Sequence, residues 1–230
     1  MHSSLLFLQA AEAAPAAPQA ESMMDVLKHA WFIYIPLLLM SIITVYIFVE
    51  RWLTVAKANK DENNFMFQIK EYINQGKLDA AKNLCTTTNT PVARMLAKGI
   101  GRIGKPLEDI KSAIENTGKL EISSLEKNTS ILAIIASVAP MFGFLGTVFG
   151  VITIFHDIST NADTIRDNII PIGSISSGLY TKMISSAAGL IVGMLAYVTY
   201  NTLVTRIGRV VNNMESRAIE FVDILDEPLN

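Results

Sequence analysis

The stretch NTSILAIIASVAPMFGFLGTVFGVITIF, which runs from Asn128 to Phe155, contains no charged side chain and decides the fold of this protein. A helix of about 20 apolar residues, each rising about 1.5 Å, is long enough to cross the hydrocarbon layer of a membrane. Because this stretch is longer than one crossing needs, we expect a helix that tilts or protrudes on one side. The sequence therefore predicts a transmembrane helix over residues 128–155.

Two further stretches of the chain are almost free of charge. Residues 30–49 lie between Lys28 and Glu50 without an ionisable side chain other than tyrosine, and residues 169–205 contain one interior charge, Lys182. Of the whole chain, 50% is hydrophobic and 17% charged, whereas soluble domains carry about 25% charged residues. We predict an all-α integral membrane protein with three transmembrane helices.

The basic residues predict how the helices are oriented, since Lys and Arg collect on the cytoplasmic side of a membrane. Residues 50–127 are rich in both, whereas residues 156–168 contain Arg166 among three aspartates. We expect residues 50–127 to form a cytoplasmic domain, residues 156–168 a periplasmic connector and residues 206–230 a cytoplasmic helix. The Ala/Pro-rich residues 1–29 then form an extracytoplasmic tail, which is a better fit than a signal peptide because it has no basic start.

The predicted cytoplasmic domain shows apolar residues at helical spacing. The segment Phe65–Asn83 is typical of two helices with a break at Gly76, and Val92–Ile103 predicts another helix. Pro106 is expected to open a further helix. Its apolar positions keep helical spacing up to the second span, which predicts one unbroken helix from the cytoplasm into the membrane. These positions are Leu107, Ile110, Ile114, Leu120 or Ile122, and Leu125.

The third span is predicted to extend inward in the same way and to complete a bundle of long helical extensions. Its apolar stripe consists of Val211, Met214, Ala218, Phe221 and Leu225. The single cysteine, Cys85, excludes a disulfide framework or a multi-cysteine zinc site, and we expect it to be a buried apolar residue. The net charge of -2 leaves no basic excess for nucleic acid, and no cofactor or metal is expected.

The second and third spans differ from the first in their small side chains, which let helices approach closely or leave room for a pore. These residues follow spacings of three and four, so each set shares one face of its helix. The sets are Ala136, Pro140, Gly143, Thr147 and Gly150 in the second span, and Lys182, Ser186, Gly189, Gly193 and Ala196 in the third. Gly146 forms a further small pair with Gly150. The faces either pack tightly, with Thr147 and Ser186 bonded to their own helix, or line a polar pathway.

Lys182 stands alone as a basic residue within a span. A charge at the bilayer centre costs about 2.5–3.5 kcal/mol, so such residues are usually functional or face water. Alternatively, Lys182 snorkels to the outer interface, since it lies about 36 Å before Arg206 at helical rise. The second and third spans contain no carboxylate or His, so a proton relay through them would need a titratable group from another chain.

Two motifs resemble those of a known family. They are APMFGFLGTVFGVI, at Ala139–Ile152, and SSAAGLIVGMLAYVTYN, at Ser185–Asn201. Both are similar to motifs of the MotA/TolQ/ExbB proton channel subunits, most of all ExbB and TolQ. The resemblance covers nearly the whole chain beyond the N-terminal tail.

The resemblance implies roles for individual residues. The pore threonine of the family falls on Thr147, and the hydroxyl of the third span falls on Ser186. Thr181 stands where many members carry a Glu, and Lys182 follows it, so the resemblance places both in the ion pathway. Helix packing or clearance for a moving helix is implied for Pro140, Gly143, Gly146, Gly150, Gly189 and Gly193.

The resemblance also implies an assembly and a function. A pentameric ring in a bacterial inner membrane would surround a single-span ExbD- or TolR-like partner that brings an intramembrane Asp. Protonation of that Asp would move the partner, and a TonB-like protein would pass the motion to outer-membrane transport. The alternatives are a TolQ-like envelope-constriction motor and a non-conducting membrane scaffold. An enzyme is not expected, because the chain has no catalytic constellation, metal-ligand spacing or phosphate loop.

Overall fold

The computed structural model describes residues 31–58, 64–160 and 172–226, and all regular structure in these ranges is α-helical. The helices are α1 (Trp31–Ala58), α2 (Phe65–Asn74), α3 (Leu78–Thr88), α4 (Pro91–Ile100), α5 (Leu107–Glu126), α6 (Thr129–Thr160) and α7 (Ile172–Asp226). The all-α prediction is confirmed for this part of the chain. The predicted tail 1–29 and most of the predicted connector lie outside the described residues.

Three helical stretches are long and apolar enough to cross a membrane. They are Phe32–Ala58, Leu107–Thr160 and Lys182–Asp226. Of the 18 most apolar consecutive residues in each stretch, at most 28% are buried inside the protein. Large apolar side chains such as Phe32, Phe144 and Met194 are therefore exposed, as expected for a surface that contacts lipid. These observations confirm the prediction of three candidate spans.

The described residues divide into two compact units, to which α1, α6 and α7 each contribute a part. We call residues 31–39, 138–160 and 172–192 the span unit. Residues 40–58, 64–137 and 193–226 form the bundle unit.

Single residues at the ends of the short helices of the bundle unit explain where these helices begin and end. Gly76, with φ at +70°, provides the turn between α2 and α3, and this confirms the predicted break. Asn89 ends α3 in the left-handed region, with φ at +48°. The Thr90 hydroxyl then accepts a hydrogen bond from the Ala93 backbone N–H at 3.3 Å, which caps α4.

The core of the bundle unit is formed by side chains from α1 to α5 and from α7. At most 1% of the surface is exposed for Ile69, Cys85, Leu96, Ile114, Met214 and Phe221. Val211, Ala218 and Leu225 pack against this core, so the predicted stripe on α7 is confirmed. Cys85 is buried, as predicted, and this burial raises the pKa of its thiol to about 11.

Of the two residues that the predicted apolar stripe on α5 offered at one position, Ile122 packs against the core and Leu120 does not. Leu120 is 73% exposed, whereas Ile110, Ile114 and Leu125 are buried. The buried face of α5 also includes Gly118, against which the Met95 sulfur packs. Leu120 lies two positions later, which turns its side chain about 200° away at roughly 100° per residue.

The predicted unbroken helix from the cytoplasm into the second span is wrong. The structure ends α5 at Glu126 and starts α6 at Thr129. Between them Asn128 adopts φ of +64°, and Asn tolerates this left-handed conformation better than most residues. The spacing of the apolar positions does not reveal this break, because the break depends on the backbone angles of a single residue.

Two side chains satisfy backbone carbonyls at the end of α5. The Thr129 hydroxyl donates to the Glu126 carbonyl at 2.7 Å, and Arg51 Nη1 of α1 donates to the Ser124 carbonyl at 3.1 Å. Arg51 is only 6% exposed. A cation at the C-terminal end of a helix also interacts favourably with the helix dipole, so Arg51 stabilises the place where α5 stops.

A second apolar cluster joins α1, α6 and α7 within the bundle unit. It consists of Ile47, Leu132 and Leu203, with Trp52 packed against them. The guanidinium carbon of Arg206 lies 3.5 Å from the centroid of the Trp52 ring, a cation–π contact. The helix α7 continues through this region to Asp226, so the prediction that the third span extends as a helix beyond its apolar stretch is confirmed.

Candidate functional site

Within the span unit, α6 and α7 make a backbone-to-backbone contact at Gly143 and Gly189. A Cβ atom added to Gly189 would lie 2.7 Å from both the Gly143 Cα and the Ala139 carbonyl oxygen. A Cβ added to Gly143 would lie 3.0 Å from the Gly189 Cα. Because real Cβ atoms essentially never come within 3.0 Å of another heavy atom, only glycine permits this approach.

One turn further along α6, three helices meet at Gly146. A Cβ at this position would lie 2.9 Å from the Ile33 Cδ1 of α1 and 2.9 Å from the Ser185 hydroxyl oxygen of α7. Ser185 is 2% exposed, and its hydroxyl donates to the Lys182 carbonyl at 2.6 Å. Gly146 therefore allows α1 and α7 to pack against the same point of α6.

Sequence reasoning selected Ser186 and missed Ser185. Ser185 comes three positions after Lys182 and four before Gly189, and Ser186 comes four after and three before, so helical spacing fits both serines and does not choose between them. The resemblance placed the hydroxyl on Ser186.

The next glycine of α6, Gly150, is covered by the side chain of Lys182. A Cβ at Gly150 would overlap the Lys182 Cγ and would lie 2.5 Å from its Cδ. The aliphatic part of Lys182 therefore lies directly on the backbone of α6. Lys182 is half-buried, and within the described part of the chain its ammonium has no hydrogen bond or ion pair.

The two predicted pore hydroxyls differ in their bonding. Both Thr147 and Ser186 are half-buried. The Thr147 hydroxyl donates to the Phe144 carbonyl of its own helix at 2.7 Å. Among the described residues the Ser186 hydroxyl has no hydrogen-bond partner, and no hydrogen bond joins it to Thr147.

The other predicted site residues are distributed over both units. Pro140 lies inside α6 and is half-buried. Gly193 is buried and belongs to the bundle unit. Thr181 lies in α7 directly before Lys182, and its side chain is outside the described part of the chain.

The charges of the span unit are few. Residues 31–39 contain no charged residue, and within residues 138–156 and 172–192 the groups that can carry positive charge are His156 and Lys182. Those two ranges contain no Asp or Glu; the carboxylate of the described part of the span unit is Asp157, which directly follows the first range and whose side chain is outside the description. The described arrangement thus offers hydroxyls, a cation and a glycine-lined helix contact.

Comparison with known proteins then decides the family. The sequence profile of the MotA/TolQ/ExbB proton channel family matches residues 87–216, more than half of the chain. The chain belongs to this family. The resemblance predicted from the two motifs is therefore confirmed, and the range matched as MotA/TolQ/ExbB contains the whole glycine contact between α6 and α7.

Individual members of the MotA/TolQ/ExbB family show moderate identity to the chain. It is 26% identical to the putative biopolymer transport protein ExbB homolog of Methanothermobacter thermautotrophicus, over 61% of this chain and 47% of that protein. It is 21% identical to the putative biopolymer transport protein ExbB-like 3 of Synechocystis, over 73% of this chain and 78% of that protein. It is 31% identical to the Tol-Pal system protein TolQ of Haemophilus influenzae, over 46% of this chain and 43% of that protein.

The chain thus spans less than half the length of two of these relatives. Both ExbB and TolQ proteins are among them, so membership in MotA/TolQ/ExbB does not by itself separate the two. Together with the three apolar helices, the family indicates a multi-pass protein of the inner membrane.

Proposed function

We propose that this chain is the channel subunit of a proton-driven inner-membrane motor. The observation that carries the proposal is the composition of the span unit, in which residues 138–156 and 172–192 provide hydroxyls and a cation without a carboxylate. A proton channel needs a titratable group in the membrane. That group then belongs to a partner, for which a single-span ExbD- or TolR-like protein with an intramembrane Asp is the best fit.

The proposed assembly is a homopentamer in the inner membrane around this partner, with the N-terminus periplasmic and the C-terminus cytoplasmic. The exposed apolar side chains of α6 and α7 support an assembly in lipid, because they need either lipid or another subunit as a neighbour. Proton entry and release at the partner's Asp would move the partner helix against the ring.

Thr147 and Ser186 are proposed to hydrate or hydrogen-bond the carboxylate of the partner. Ser186 is suited to this role because its hydroxyl has no partner among the described residues. Thr147 can accept a second hydrogen bond while it donates to Phe144. The contact of Gly143 with Gly189 holds α6 and α7 of one subunit together, which suits a stationary wall against which another helix moves.

The proposed output is the energising of TonB-dependent outer-membrane transport through a TonB-like protein. Its support is the similarity to proteins named as biopolymer transport proteins ExbB. A TolQ-like motor for envelope constriction is the second candidate, and it is supported by the similarity to the Tol-Pal system protein TolQ of Haemophilus influenzae.

The variants Thr147→Val and Ser186→Ala test the channel, because each removes a hydroxyl and keeps a side chain of similar size. Proton flux should be measured in liposomes that contain the complex purified from native membranes. We expect both variants to lower flux while the complex still assembles. The matched control is Thr153→Val, since the Thr153 hydroxyl also donates to a carbonyl of α6.

A non-conducting scaffold predicts unchanged flux in all three variants. Free proton flux through liposomes that contain this chain alone would contradict the proposal that the acidic group comes from a partner.

A further inference from the structure

Lys182 is held in an unusual place for a lysine. Its Cβ, Cγ and Cδ atoms all lie against Gly150, where any larger residue would collide with them. It shares a helix face with Ser185 and Gly189, which are buried against α6, whereas the adjacent Met183 is 60% exposed. The aliphatic part of the Lys182 side chain therefore packs between α6 and α7 and does not lie on the outer, apolar surface of α7.

The surroundings of Lys182 provide no counter-charge in the described residues. Apart from Lys182, the titratable residues of the three packed segments are Tyr34 from α1, His156 and Asp157 from α6, and Tyr180 from α7. Asp157 is the one carboxylate among them, and its side chain is outside the described part of the chain. An ammonium within an apolar helix pair is costly unless it is paired or faces water, and the ammonium of Lys182 has no ion pair within the described part of the chain.

We propose that Lys182 is a docking point for a carboxylate on a transmembrane helix of another chain, and that Gly150 is the residue that positions it. This inference rests on the proposed function, because it concerns the acidic group that a proton channel of this composition needs. A nearby ammonium favours the ionised form of a carboxylate. The acidic helix is therefore held by Lys182 while its carboxylate is ionised, and it is released when a proton neutralises the carboxylate.

The pairing can be tested without knowledge of the natural partner. The probe is a synthetic Leu/Ala-rich transmembrane peptide with one Asp in its outer third, and its twin carries Asn at the same position. The full-length chain and the peptide are placed in vesicles of zwitterionic phosphatidylcholine, and energy transfer between labels on the two reports association.

At neutral pH we expect the wild-type chain to bind the Asp peptide about tenfold or more tightly than the Asn peptide. This preference should disappear as the pH falls below the pKa of the Asp. Lys182→Gln should abolish the preference, Lys182→Arg should retain it, and Lys119→Gln, at an exposed lysine of α5, should leave it unchanged. Gly150→Ala should weaken the preference although the lysine is still present, since the added methyl displaces the Lys182 stem.

Equal binding of the Asp and Asn peptides to the wild-type chain would overturn the proposal, as would a preference that survives in Lys182→Gln. If Lys182 pairs instead with the net negative headgroup of an anionic lipid, Lys182→Gln will change peptide binding only when phosphatidylglycerol is added, and this result would also overturn the proposal. Because the readout is association and not proton flux, the docking proposal and the channel proposal fail independently.

Discussion

Gly189 of α7 lies so close to Gly143 of α6 that a Cβ atom at Gly189 would be 2.7 Å from the Gly143 Cα. The obstacle is backbone, which cannot rotate away as the end of a side chain can. The two helices must therefore separate if any other residue replaces Gly189.

The first prediction follows from this contact. Gly189→Ala should lower the free energy of unfolding by about 1–3 kcal/mol, the usual effect of overpacking. Thermal unfolding of the purified protein in detergent measures the change. The control is Gly208→Ala in the same helix, where nothing lies within 4 Å of the added methyl. The control should be neutral or stabilising by up to about 1 kcal/mol, and an equal loss in both variants would contradict the close contact.

A second prediction concerns Gly99 in the bundle unit. A Cβ there would lie 2.8 Å from the Ile114 Cδ1 and 3.0 Å from the Phe221 Cε1. Gly99→Ala should therefore destabilise the protein, and Ile114→Ala should destabilise it by creating a cavity. The double variant should lose less stability than the two single variants lose together, by about 0.5–3 kcal/mol in the free energy of unfolding, because the new methyl fills part of the cavity. Strict additivity in urea unfolding would show that the two residues do not touch.

The break between α5 and α6 yields a third prediction. Asn128→Gly should be tolerated, because glycine adopts the observed φ of +64° without strain. Asn128→Val should cost about 1–2 kcal/mol, since a β-branched residue is strained in this conformation. The free energies of unfolding of the two variants test this prediction. If valine proved as stable as glycine, the backbone would have to be an unbroken helix at this point.

Cys85 provides a fourth prediction. Burial raises its pKa to about 11 from an ordinary value of 9.0, so little reactive thiolate is present near pH 8. We expect iodoacetamide to modify the native protein much more slowly than the urea-unfolded protein. Because the folded state holds the thiol proton more tightly, stability should fall between about pH 9 and pH 11 in the wild type. Cys85→Ala should not show this component, and rapid modification of the native thiol would contradict its burial.

Several features of the fold followed from local sequence. The spans are recognisable because a long uncharged stretch is stable in only a few environments. The turn at Gly76 was predicted because glycine readily adopts its φ of +70°. The buried residues Met214 and Phe221 on α7 followed from helical spacing, which is a property of the helix itself.

Other features did not follow from sequence, and each depends on a partner segment. Leu120 fits an apolar stripe by type but faces away from the core. Ser185 and Ser186 are adjacent and chemically identical, yet only Ser185 is 2% exposed and packed against Gly146. The break at Asn128 is stabilised by Arg51 through the Ser124 carbonyl, a contact between residues far apart in the chain.

The sequence by itself determined that the described part of this chain is all-helical, that three stretches can span a membrane and that two of these stretches, residues 128–155 and 169–205, are rich in small residues and contain no Asp or Glu. These properties depend on composition and on the 3.6-residue period, which each segment carries alone. Only the tertiary structure decided that Gly143 meets Gly189 and that Lys182 lies on Gly150. The physical reason is rotation: the side that α7 turns towards α6 is set by close packing between segments distant in the chain, and periodicity within either helix does not contain that information.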